Sequence, residues 1–223
     1  MRHPEPGSLH GGLSMPAAAL ALAMIWPATP AGSTGAEPPP LAARSADGRW
    51  VLQAQRDPDC LWVLDAQQQH RAVRAIVPAS RDGRTAGAAA LRVAPKRRSF
   101  VIAPRGLPEL WELSYDPRAE EIYDGIVHDY RFGEGVPRPG FFGLRRIVLP
   151  SPLESFVFDE HEAEAWGLTP APPRGSGQGL VINLDVRRHV ATVPASAIPA
   201  GPPASPVVAG LEGLPPHRGP CRV

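Results

Sequence analysis

A chain of 223 residues with 23 Lys+Arg against 22 Asp+Glu carries a formal charge of +1, which excludes the basic excess that a nucleic-acid partner calls for. The length suits one sizeable domain with dispensable ends. Cys60 and Cys221 are the two cysteines, so there is neither a C-x-x-C-H attachment site for c-type haem nor zinc spacing, and no metal site is expected. The pair leaves two readings open, a long-range disulfide or a free thiol in the tail.

The first element is an address. "MPAAALALAMIW", Met15 to Trp26, is a short apolar run, and Thr29/Ala31 and Thr34/Ala36 after it offer small-x-small cleavage sites. The run is too short to span a bilayer. Residues 1–36 are therefore expected to be a cleaved secretory signal, with no membrane span and a periplasmic destination, and residues 37–43 a linker.

Residues 44–195 repeat themselves. "GRWVLQAQRDPDCLWVLDAQQQHRAVRAIVP" reads as strand, polar turn, strand ending in Asp65, turn, strand. "RSFVIAPRGLPELWELSYDP" gives the first two again, and "EAWGLTPAPPRGSGQGLVINLDVRRHVATVP" is a third copy. "LWVLD", "LWELS" and "LVINLD" occupy one place in a unit of about 40 to 50 residues, the period of four-stranded propeller blades. The expected fold is all-β, an incomplete β-propeller of about three blades, with Trp50, Trp62, Trp111 and Trp166 as packing residues between them. Propellers close with about four to eight blades, so an open arc is expected, whose apolar faces invite self-association. Residues 196–223, rich in proline and glycine with little apolar periodicity, read as a disordered tail.

After "ELWELSY" comes a long excursion, placed at residues 118 to 146. It holds "YDGIVHDYRFGEGVPRPGFFGLRR", with His128, Tyr130, Arg131, Arg145 and Arg146 among glycines and prolines. Loops longer than about 12 to 15 residues are usually functional or disordered. The matching islands "PELWELSYDP", "VHDYR" with "GE", "PGF", "RR" and "NLDVRR" resemble the haem d1 propeller of cytochrome cd1 nitrite reductases. Within that family they are most similar to the dehydrogenase branch of haem d1 biosynthesis, over roughly residues 90 to 195.

That resemblance implies an eight-bladed propeller holding haem d1, or its dihydro precursor, in the central channel. It implies a periplasmic haem d1 binding or processing protein of denitrification, an oxidoreductase if active, with a tetrapyrrole ligand and a periplasmic cytochrome as electron partner. His128 is carried over as the catalytic candidate, since imidazole suits acid–base work or iron ligation. His128, Tyr130, Arg131, Arg145 and Arg146 are the cofactor-binding candidates, the guanidinium forks pairing with macrocycle carboxylates. Blander readings stand beside these: His128 pinning its loop through Asp129, and Arg145 and Arg146 solvated or paired with Glu134. The family's Pro-His-Leu-Gly-Ser-Gly turn, which supplies a histidine to the haem, is replaced here by "VPASAIPAGPPASPVV", so that ligand is expected to be missing. The Pro/Gly-rich tail from Pro194 in place of further blades is what a truncated or frameshifted product would carry. The alternative function is a propeller remnant or interaction module without cofactor.

Overall fold

Glycine and proline turns cut the chain into short apolar runs, each long enough for one strand and unable to bury itself alone. In the computed structural model, which describes residues 41–57, 59–123, 137–173, 175–200 and 221, these runs form twelve strands in three four-stranded sheets. Sheet 1 holds β1 (Leu41–Arg44), β2 (Trp50–Gln55), β3 (Cys60–Asp65) and β4 (Arg71–Ile76). Sheet 2 holds β5 (Ala88–Ala94), β6 (Ser99–Pro104), β7 (Glu109–Ser114) and β8 (Leu144–Val148). Sheet 3 holds β9 (Ser155–Phe158), β10 (Glu164–Leu168), β11 (Gln178–Asn183) and β12 (Arg188–Pro194). Every pairing joins antiparallel neighbours in chain order.

The three sheets are successive propeller blades. "LWVLD", "LWELS" and "LVINLD" fall on β3, β7 and β11, the third strand of each. The pairing of third and fourth strands slips by one residue at matching places, Val63/Leu64 in sheet 1 and Val181/Ile182 in sheet 3, a bulge that adds local twist. β3, β6 and β7 are buried on both faces, β3 and β6 largely as apolar runs and β7 with Glu109, Glu112 and Ser114 among its core residues, whereas the outermost β12 alternates half-buried with exposed.

One apolar cluster joins sheets 1 and 2 through Leu52, Leu61, Val63, Phe100, Ile102 and Trp111. A second joins sheets 2 and 3 through Val101, Leu110, Ile147, Phe156, Leu180 and Ile182. Trp50 and Trp111 are buried between sheets 1 and 2 as expected, whereas Trp62 is buried on the other face of sheet 1. Trp166 is only half-buried, because its register partners Val157 and Val181 place it on the face of sheet 3 turned away from sheet 2.

Two boundaries differ from expectation. β1 begins at Leu41, ahead of residue 44, because "LAAR" pairs with Val51 to Ala54. The excursion runs from Tyr115 to Gly143, so Arg145 and Arg146 stand in β8 rather than on the loop. The expected signal segment and most of the tail lie outside the described residues. Among the described residues no helix is long and apolar enough to cross a membrane.

Candidate functional site

Alternate turns of the meanders gather at one end of the sheets. Tyr115 N–H donates to the Arg98 carbonyl at 2.8 Å, so the β5–β6 turn and the start of the excursion lie side by side. Ala46 N–H of the β1–β2 turn reaches the Tyr115 hydroxyl at 3.4 Å, and Lys96 N–H donates to the Glu162 carboxylate of the β9–β10 turn at 2.8 Å. This mouth is where the excursion opens.

The excursion has a built base. Ile122 and Arg138 pair as an isolated antiparallel bridge, exchanging N–H···O bonds of 2.8 and 2.9 Å, so its two arms run together before residues 124–136, which lie outside the described set. Gly140 lets the returning arm touch the outgoing one: a Cβ there would meet the Glu120 carbonyl oxygen at 2.0 Å and the Ala119 carbonyl oxygen at 2.6 Å. Phe141 stacks on Phe142 with centroids 4.0 Å apart, and Phe142 meets Trp50 edge-on at 5.0 Å, fastening the base to sheet 1.

Arg145 fastens it to sheet 2. The side chain is 8% exposed and donates from a terminal guanidinium nitrogen to the Glu120 carbonyl, while its buried Nε has no hydrogen-bond partner among the described residues. Burial lowers its pKa from the ordinary arginine value, and the charge of Arg187 adds to this against the pull of Glu112 and Glu120. The group remains a cation with unsatisfied donor capacity.

Beside it lies a polar interlock between sheets 2 and 3. Arg97 donates to the Glu112 carboxylate at 3.0 Å, to Asp185 at 2.5 Å and to the Leu184 carbonyl at 3.2 Å. Burial pushes the Arg97 guanidinium down, but the hydrogen bonds and charges of Glu112 and Asp185 outweigh it, leaving its pKa raised. Glu112 is the register partner of Arg145 in β7–β8, so two guanidinium groups share the neighbourhood of one buried carboxylate. Sequence reasoning did not find Arg97, Glu112 or Asp185. The available signal was the acid within "ELWELS", at a strand position flanked by core residues.

Of the five candidates, His128, Tyr130 and Arg131 lie outside the described residues. The other two are not brought together. Successive strand residues point to opposite faces: Arg145 and Ile147 face sheet 3, whereas Arg146 pairs with Trp111, faces sheet 1, and donates from Nε to the Ala79 carbonyl at 2.8 Å. Both stand on β8, the sheet edge opposite β5, which is the strand that approaches β1 and β9. Among the described residues no group of three or more His, Cys, Asp or Glu is placed to hold a metal ion.

No protein-family model matches the chain. It is, however, 31% identical over 157 residues to the dihydro-haem d1 dehydrogenase of Pseudomonas aeruginosa, an alignment that takes in 70% of this chain and 27% of that protein. A solved structure, dihydro-haem d1 dehydrogenase NirN in complex with DHE, superposes with a TM-score of 0.53 at 30% identity, over 71% of this chain and 28% of that one. The chain is thus similar to one part of a dihydro-haem d1 dehydrogenase. It spans little more than a quarter of the length of the dehydrogenases it matches, and the resemblance read from "PELWELSYDP" and "NLDVRR" is to the same proteins.

Proposed function

We propose that this chain is a tetrapyrrole-binding propeller segment of the haem d1 family, exported to the periplasm, that binds or processes haem d1 or dihydro-haem d1 at the mouth carrying the excursion. The observation that carries the reading is the 31% identity to a dihydro-haem d1 dehydrogenase over 157 residues. The described residues fit such a ligand in one respect: the buried Arg145 Nε at the base of the excursion seeks an acceptor, and an anionic macrocycle brings carboxylates. Bound there, the cofactor would supply the redox chemistry.

The chain's own residues would bind and orient. Arg131 and Tyr130 would meet carboxylate oxygens, and His128 would sit beside the macrocycle as a proton-handling or ligating imidazole. Arg145 would act from the base, holding the excursion through the Glu120 carbonyl, with its Nε left to donate to a partner. Arg146 serves the contact between sheets 1 and 2 and falls outside this group.

A second reading, a cofactor-free interaction module, draws on the half-buried Trp166 face of sheet 3, an apolar surface that suits a macromolecular partner. The two separate in a visible-absorption titration of the purified chain with haem d1. A saturable shift of the haem d1 bands supports the binding reading; spectra that stay additive at every ratio leave the interaction module.

A further inference from the structure

Sheet 1 is buried on both faces. One face packs on sheet 2; the other carries Ala42, Val51, Cys60, Trp62 and Leu64, exposed by 6%, 0%, 0%, 2% and 2%. Apolar side chains so dry need a cover. Among the described residues no sheet stands on this face, and the group that reaches it from elsewhere is Cys221, disulfide-bonded to Cys60 with the Cα atoms 5.6 Å apart. Cys221 lies at the end of the stretch that follows Ala200, so the chain that reaches this face is that stretch.

We propose that this face of sheet 1 is a docking surface for the chain's own C-terminal segment, residues 201–223, latched by the Cys60–Cys221 disulfide. The segment has the reach: twenty residues separate Ala200 from Cys221, and about 3.3 to 3.6 Å per extended residue far exceeds the roughly 10 Å spacing between packed sheets. It also has the chemistry. "SPVVAGLEGLPP" supplies Val207, Val208, Leu211 and Leu214 with a single charge, Glu212. Pro202, Pro203, Pro206, Pro215, Pro216 and Pro220 carry no N–H. An extended segment built this way lays side chains on an apolar face while leaving few backbone donors to satisfy, and its prolines prevent it from adding as an interior strand. The disulfide fixes where it ends. A face covered in this way is closed to a second copy of the chain and to a further blade.

The test is the accessibility of the Cys60 thiol. In full-length Cys221→Ser the segment still docks through its apolar residues, and native alkylation of Cys60 by iodoacetamide is slow. In a chain ending at Ala200, and in full-length Cys221→Ser carrying Val208→Asp and Leu211→Asp, it is expected to accelerate by about ten-fold or more. The point variant keeps the full length and decides the matter if the shortened chain does not fold. Peptide mapping of the oxidised wild-type chain is expected to recover the Cys60 and Cys221 peptides linked. Unchanged protection of Cys60 in the point variant, or Cys60 and Cys221 recovered as separate thiols, would overturn the proposal. So would protection in the shortened chain that rises with its concentration, which would make a second copy the occupant.

Discussion

Arg97 is the residue on which the joint between sheets 2 and 3 turns. It gathers the Glu112 and Asp185 carboxylates and the Leu184 carbonyl, and Glu112 is 5% exposed. Arg97→Ala strands that carboxylate without its partner and is expected to cost about 3 to 5 kcal/mol in a urea melt. The double change Arg97→Met with Glu112→Leu should recover much of the loss, since an apolar pair needs no compensation. A single variant within experimental error of wild type would show the joint to be held by its apolar cluster alone. At the β1–β2 turn, Asp47 lies on the acid limb. Burial raises its pKa, but hydrogen bonds from Ser45 and from the Arg49 N–H, with the charges of Arg98 and Arg49, leave it lowered. A lowered folded pKa gives stability that is present above the unfolded value of about 3.9 and lost as pH falls through the folded one. Asp47→Asn should therefore cost a small, constant amount from neutral pH to about pH 4, shrinking below that, because Asp47 is exposed and screened. A difference unchanged in more acid denaturation series would remove the carboxylate from the account. The partners of Arg97 were not legible in the sequence, since the ion pair with Asp185 joins residues far apart and the acid within "ELWELS" does not by itself name its partner.

At the scale of elements, the excursion is defined by its base. Gly140→Ala would drive a Cβ into the Glu120 and Ala119 carbonyls, so the returning arm must move and the Ile122–Arg138 bridge should open. The expected loss is about 2 kcal/mol, with hydrogen-exchange protection of the Ile122 and Arg138 amides falling while that of β6 and β7 holds. Equal loss across β6 and β7 would mean the base is part of the core rather than a clamp on it. The third strands were plain in the sequence because "LWVLD", "LWELS" and "LVINLD" are apolar runs between turn residues. The first strands "LAAR" and "SFVF" were not, being four residues long with no alternation to read, and the third unit read from Glu164 onward omits β9. β8 was hidden for another reason. In "LRRIV" the two adjacent arginines face opposite sides, Arg146 with Leu144 and Arg145 with Ile147, so a strand with one charge per face reads locally as a charged loop.

At the scale of the whole molecule, blade architecture follows from repetition: among the described residues sheet 2 is covered on one face by sheet 1 and on the other by sheet 3. Three repeats in the sequence were therefore enough to give the class of fold. The proposed function has no such repetition behind it; it would rest on one excursion, which is why the resemblance to a dihydro-haem d1 dehydrogenase says more about it than any periodicity does. The mouth with the excursion is the central claim, and it separates two neighbours in the chain, Arg145 beneath the excursion and Arg146 on the opposite sheet face. Equilibrium titration with haem d1, followed by visible absorption, tests it most directly when wild type is compared with His128→Ala and Arg146→Ala. The account expects saturable binding by wild type, weakening by about ten-fold or more in His128→Ala, and an unchanged affinity in Arg146→Ala; equal weakening in both variants, or no binding by wild type, would contradict it.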